Sequence, residues 1–299
     1  MRVGKLSLLD VGKRLVAQVN SDDVFGLAAE LAYRFFLAMF PFLIFLTALA
    51  SFVATTFSVR DPSQQIVDLL ARLMPPEATE LIRPQIERTI STNQGGLMSF
   101  GILLTLWVAA GGFNAVIKAM NRAYDVEESR PFWKKYLLAL GMTLLAGTFI
   151  VGAFVLLVVG QVFGRQIAEA LGLGGTYQAV VGLARWPAVV ALLVVATAFI
   201  YWAAPNMDLP WKWITPGSVL FVVGWLVATA LFTFYVSNFG SYAATYGALA
   251  GVVVLLLWFY LTGIILLVGA ELNAIVDQAM EPEKVERKRG EKRREANSG

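Results

Sequence analysis

The sequence predicts an all-α, polytopic integral membrane protein with six transmembrane helices, both termini in the cytoplasm (N-in/C-in), and short amphipathic interfacial helices. Three observations carry that expectation. Of 299 residues, 58% are apolar and only 15% charged, against about 45–50% and about 25% in soluble domains. The charge deficit is local: several windows of about 20 residues, the length a helix needs to cross a hydrocarbon core, carry no ionisable acid or base. Cys and His are both absent, which removes disulfides, thiolate nucleophiles, imidazole bases and Cys/His metal sites.

The chain opens with a mixed-charge segment, 1–24, read as cytoplasmic. A transmembrane domain follows over 25–276. Its spans are expected at Phe25 to Phe57, Leu97 to Ile117, Leu137 to Phe163, Trp186 to Ala204, Pro216 to Val236 and Tyr246 to Ala270. The first apolar run is too long for a signal peptide and lacks a clear cleavage pattern. Segment 58–96, the one long outer connection, places Ile66, Leu69, Leu70 and Leu73, then Leu81, Ile82, Ile86 and Ile90, at helical spacing around Pro75 and Pro76, which predicts two short amphipathic helices. The inner connection 118–136 mixes Lys and Arg with Phe132 and Trp133, a composition suited to the headgroup layer. Residues 277–299 form a charged tail without periodicity, read as disordered. Alternating topology puts 17 Lys and Arg residues on the N-terminal side and 6 on the other, with Arg34 inside the first span. Basic residues are retained in the cytoplasm, so both termini are placed there.

Ionised groups at membrane depth are paired, face a cavity or have a role. Glu30 and Arg34 stand one turn apart in the favourable order, with Tyr33 beside them. Pro41 further along removes a backbone hydrogen bond and is a candidate helix kink. Asn114, Lys118 and Arg122 repeat every four residues and share one helix face, with Asn121 adjacent. That stripe suits the carboxylates Glu30 and Glu271, an anionic headgroup or solute, or cytoplasmic water. Glu271 and Asn273 fall where the sixth span leaves the membrane, on the side of Glu30 and Arg34. On the outer side, Asn238, Tyr242 and Tyr246 suit an interfacial belt or an outer gate. Small residues at Ala109 to Gly112 and at Ala243, Gly247 and Gly251 suit close helix packing.

Three blocks carry a family resemblance: LAYRFFLAMFPFLIFLTAL, LWVAAGGFNAVIKAMNRAYDVEESRPFWKKYLLAL and NFGSYAATYGALAGVVVLLLWFYLTGIILLVGAELNA. In order and spacing, over residues 20–278, the chain resembles the YihY/BrkB family of bacterial inner-membrane proteins. The resemblance implies a six-helix protein of the cell inner membrane, of poorly defined activity, grouped with permeases or linked to envelope integrity. Its matching positions are Tyr33, Pro41, Asn121, Tyr124, Asn238, Tyr242, Tyr246, Glu271 and Asn273; the family has no agreed catalytic residues. Members have long been labelled ribonuclease BN. Zinc phosphodiesterases need His ligands and metal-free ribonucleases commonly use His as acid and base, so this His-free chain speaks against that chemistry. For a magnesium site made of carboxylates alone, Asp61, Asp68, Glu77, Glu80 and Glu87 are spread among basic residues on the outer face, and Asp125, Glu127 and Glu128, the clustered acids of the cytoplasmic side, fall in a loop that reads as salt-bridged.

The expectation is therefore a transporter or permease-like bundle, not an enzyme, for a lipid-like or amphiphilic anionic substrate, with no cofactor and no metal. Expected partners are membrane lipids, that substrate and a second copy of the chain, without nucleic acid. The rival is a non-transporting scaffold acting through the outer segment and the basic tail. A continuous polar cleft from Glu30 toward Tyr242 favours transport; a dry interior favours the scaffold.

Overall fold

The computed structural model describes residues 2–3, 6–56, 97–154, 174–238 and 248–283, with isolated positions between 64 and 84 and from 285 to 291. A two-residue antiparallel pairing of β1 (Arg2–Val3) with β2 (Leu6–Ser7) leads into α1 (Leu8–Ser21). Six longer helices follow among the described residues: α2 (Val24–Thr56), α3 (Leu97–Ala123), α4 (Phe132–Phe154), α5 (Gly174–Ala203), α6 (Pro216–Asn238) and α7 (Ala248–Met280). Each coincides with one predicted span. By length and composition, three described stretches suffice to cross a membrane: Val24–Phe42, Pro216–Ser237 and Leu249–Met280.

Local chemistry explains the first two helix starts. Ser7 caps α1 reciprocally: its Oγ accepts the Asp10 N–H (3.2 Å), while the Asp10 carboxylate accepts the Ser7 N–H (3.2 Å) and hydroxyl (2.6 Å). Nothing in the sequence reading assigned a helix here, although the capping pattern and the apolar spacing were visible. At α2, Asp23 adopts a left-handed φ of 50° and its Oδ1 accepts the Gly26 N–H at 3.2 Å. A Cβ at position 26 would run into that carboxylate, so glycine lets the cap close.

Consecutive helices from α2 to α7 are neighbours, and α7 closes the bundle on α2 while also touching α3. The ends of α3, α5 and α7 meet the starts of α2 and α6, so successive helices alternate in direction. A hydrophobic core sits at this end, built from Val24, Ala28 and Leu31 of α2, Ala115, Val116, Ile117, Ala119 and Met120 of α3, Tyr201 of α5 and Leu266, Leu267 and Ala270 of α7. Small residues set the helix separations. Gly263 of α7 lies against the Ala28 backbone, and Gly112 of α3 against Phe35 and Ala38. Where α5, α6 and α7 cross, Tyr201 donates to the Leu266 carbonyl (2.8 Å) and Gly217 faces Gly269. Ala109 and Ala110 are buried as the spacing suggested; Ala243 and Gly247 lie outside the described residues.

Several boundaries differ from the hydropathy reading. Helix α3 runs past Ile117 to Ala123, and α7 past Ala270 to Met280, because Met120, Ala123, Ala274 and Ile275 remain buried against other helices. Helix α5 begins at Gly174, not near Trp186, and continues through Pro187. Pro41 likewise sits inside the continuous α2. Beyond α7, in the stretch read as disordered, Glu281 is not helical, but the described positions after it are, and Val285 is buried there, its N–H donating to the Glu281 carbonyl (3.1 Å). In the outer segment, the few described positions are helical, with Val67 and Thr79 buried.

Two outcomes test this packing. Replacing Gly269 by Ala sets a Cβ against the Tyr201 hydroxyl and 2.8 Å from the Gly217 carbonyl oxygen. Such overpacking costs about 1–3 kcal/mol, so the thermal midpoint in detergent falls, whereas Gly141→Ala, whose Cβ meets nothing within 4 Å, leaves it unchanged. The hydrogen bonds from Ser7 hold the Asp10 carboxyl below its ordinary range. A depressed carboxylate contributes stability that is present at neutral pH and lost as pH falls through the lowered value. The protection of α1 amides, taken relative to the intrinsic exchange rate at each pH, therefore falls in acid, and Asp10→Asn removes most of that dependence.

Candidate functional site

At the end where α2 begins, a cavity of about 600 Å3 opens between α2, α3 and the start of α4. The sequence anticipates its faces. Leu27, Glu30 and Arg34 recur at helical spacing on α2, as do Asn114, Lys118 and Arg122 on α3. Lys135 enters from the first turn of α4, and Asp22, Asp23 and Glu128 come from the adjoining loops.

Glu30 stands at the centre of the cavity's charge pattern. Its Oε1 accepts from Arg34 Nε at 3.0 Å and its Oε2 from Lys118 Nζ at 2.7 Å, so one carboxylate bridges two cations and ties α2 to α3. The Glu30 side chain is 28% exposed, with Arg34 at 47% and Lys118 at 61%, so the pair is reached from solvent. Arg122 is committed elsewhere, to Asp22 Oδ1 (3.3 Å) and the Ser21 carbonyl (3.3 Å). Lys135 has no ion-pair partner among the described residues. The buried Oδ1 of Asn114 has no hydrogen-bond partner there either.

The same two faces continue along the bundle as apolar surface. Trp107, Gly111, Asn114 and Lys118 form one stripe of α3, and Glu30, Arg34 and Leu37 one stripe of α2. Trp107 and Leu37 are about half exposed, and a Cβ at Gly111 would meet nothing. Pro41 has no N–H to offer the Leu37 carbonyl. The Trp107 ring lies against Tyr136, with centroids 4.1 Å apart, and the Tyr136 hydroxyl donates to the Trp107 carbonyl. Exposed Phe132, Trp133 and Leu137 stand beside them, an aromatic cluster of interfacial type.

A rigid polar floor adjoins the cavity. Asn121 accepts from the Asn206 N–H (2.6 Å) and donates to Glu128 Oε2 (3.0 Å). Arg130 forks onto Glu128 (2.7 and 3.0 Å) and reaches the Ala204 carbonyl (2.8 Å), while Asn206 Nδ2 binds the Glu127 carbonyl and Ser129 Oγ. The connection after α3 is thereby fastened to the end of α5. Asp125 turns it with a φ of 52°. No group of three or more acidic side chains that could hold a metal ion gathers among the described residues.

The sequence candidates divide. Glu30, Arg34, Asn114, Lys118, Asn121 and Arg122 line one cavity. Tyr33 is exposed on α2 and is not in the lining. Glu271 and Asn273 are buried in α7, which contributes nothing to the lining. Asn273 instead pins the start of α6, accepting from the Gly217 N–H (2.8 Å) and donating to Thr215 Oγ1 (3.1 Å). Glu271 lies near Tyr124, whose phenol is held well above its ordinary value by burial, then by Asp277 and Glu271. It stays neutral at physiological pH. The side chain of Asn238 and all of Tyr242 and Tyr246 lie outside the described residues, so the outer half of the anticipated path does too. Sequence reasoning missed Asp22, Glu128, Lys135 and Asn206. A loop carboxylate carries no periodicity, and Asn206 contributes through its backbone and amide.

Comparison with known proteins follows this geometry. The family model described as virulence factor BrkB matches residues 15–295. A chain of Bacillus subtilis (strain 168) named ribonuclease-like protein YfkH is 36% identical over 264 residues, covering 88% of this chain and 94% of that one. A UPF0761 membrane protein of Alteromonas mediterranea is 28% identical over 286 residues, covering 93% and 92%. Another, from Alkalilimnicola ehrlichii, is 32% identical over 253 residues, covering 82% of this chain and 53% of its own. No solved structure matches. The chain belongs to the BrkB family, and it is a membrane protein.

The polar floor has a measurable cost of removal. Asn121→Ala leaves the buried Asn206 N–H unpaired, a loss of about 1–3 kcal/mol, read as a lower unfolding midpoint in detergent. Glu128→Gln, which keeps an acceptor, costs less.

Proposed function

We propose that this BrkB-family chain is an inner-membrane transporter for amphiphilic anions, spanning the bilayer six times with both termini in the cytoplasm. The observation that carries the reading is the cavity. Arg34, Lys118, Arg122 and Lys135 bring cations from three helices to one opening, and the same helix faces lead into the apolar surface of Leu37, Gly111 and Trp107. A charged head beside an apolar tail fits that sequence of environments. The unpartnered Asn114 Oδ1 suits a hydroxyl donor on the head. The uneven distribution of Lys and Arg supports the cytoplasmic placement of this end. The aromatic cluster of Trp107, Phe132, Trp133 and Tyr136 then marks the level where head and tail part. The hydrolytic activity in the name of the Bacillus relative finds no support in a chain without His and Cys.

The deciding measurement is movement of a fluorescent short-chain phosphatidylglycerol across proteoliposomes. Lys118→Gln removes a charge-assisted contact worth about 1.5–3 kcal/mol, so the rate falls about tenfold or more. A rate in proteoliposomes equal to that of empty vesicles overturns the transport reading in favour of a scaffold. Reporter fusions at the two ends check the topology: both report the cytoplasm.

A further inference from the structure

Resting on the reading of this cavity as an anion site, we infer that Glu30 is an internal competitor: its carboxylate occupies the place of the substrate's anionic group and is displaced when substrate binds. The geometry points there because Glu30 presents one oxygen to each of two cations, at 3.0 Å to Arg34 Nε and 2.7 Å to Lys118 Nζ. Two oxygens of a phosphate present themselves to an Arg/Lys pair in the same way. The site is not neutralised by this arrangement. One carboxylate shared by Arg34 and Lys118 leaves a unit of positive charge, and Lys135 adds a second. Of the other acids in the wall, Asp22 is engaged with Arg122 and Glu128 with Arg130, while Asp23, which caps the Gly26 N–H, offsets one of these two units and leaves the wall with one. An arriving phosphate is therefore attracted while Glu30 is still in place.

Exchange is easy because both cations are about half exposed to solvent. Exposed ion pairs are weak, so swapping one oxyanion for another runs against a small barrier. Displacement also has a mechanical consequence. The Glu30–Lys118 contact is a tie between α2 and α3 inside the cavity, the Asp22–Arg122 pair being the other at its mouth. A phosphate held between Arg34 of α2 and Lys118 of α3 takes over that tie, so the two helices stay linked while the Glu30 side chain is released from both cations. The recognised chemistry is a phosphate monoester or diester. Its source is a lipid headgroup on this reading, with a soluble phosphate as the competing source.

The test is calorimetric titration of the full chain in detergent with dioctanoyl phosphatidylglycerol, dioctanoyl phosphatidylcholine and glycerol 3-phosphate. Glu30→Gln binds phosphatidylglycerol about fivefold tighter than the unsubstituted chain, the worth of one exposed ion pair, with no gain for the zwitterionic lipid. Glu30→Asp, one methylene too short to bridge both cations, gives a smaller gain and serves if Glu30→Gln fails to fold. Lys118→Gln weakens binding. If Lys118→Gln weakens binding while both Glu30 variants bind no tighter, the competitor role is overturned and the anion site stands. If no variant and no parent chain binds any phosphate, the anion site itself falls. Glycerol 3-phosphate bound as tightly as the lipid, with the same Glu30 effect, upholds displacement and overturns the lipid source.

Discussion

A backbone in hydrocarbon has to satisfy its own N–H and C=O groups, because no water is there to do so. Everything described here follows from that constraint. It makes the apolar windows helices, and it gathers the polar side chains at the ends, where partners or water are available. It also makes the few exceptions informative. Where Pro41 withholds an N–H from the Leu37 carbonyl, the chain leaves an acceptor beside an open apolar surface. Where Gly217 and Gly269 remove side chains, the backbones of α6 and α7 approach closely enough for Tyr201 to bind across them.

The end of the bundle where α2 begins has two characters. On one side, Asn121, Asn206, Arg130 and Glu128 form a closed set of bonds that fixes the loop after α3 to the end of α5, and Asn273 fixes α6 to α7. On the other side, the Glu30, Arg34 and Lys118 contact is exposed and built from long side chains. Buried, short-range bonds hold shape; exposed long-chain ion pairs exchange. A rigid floor beside a labile charge cluster is an arrangement suited to binding and release.

The ribonuclease label carried by a relative illustrates how little a name transfers without its chemistry. General acid–base cleavage of a phosphodiester needs a group that gains and loses a proton near neutrality or a metal that activates water. The chain has no His and no Cys, Glu128 in the loop after α3 is bound to Arg130 and Asn121, and the phenol of Tyr124, pushed up by burial, stays protonated.

The sequence by itself determined that the chain is helical and membrane-bound, roughly where its long helices lie, and which residues share a face: Glu30 with Arg34, and Asn114 with Lys118 and Arg122. Helical periodicity and the length of an apolar run are local properties, so they are legible in order along the chain. Only the tertiary structure decided what each face meets. Lys118 turns to Glu30 and not to Glu271, Asp22 joins the cavity from a loop and Lys135 from the first turn of α4, and α3 and α7 extend beyond their apolar cores because other helices, not lipid, cover their ends. Those outcomes depend on contacts between residues far apart in the chain, 101 positions from Arg122 to Ser21, and no local pattern encodes the partner at that separation.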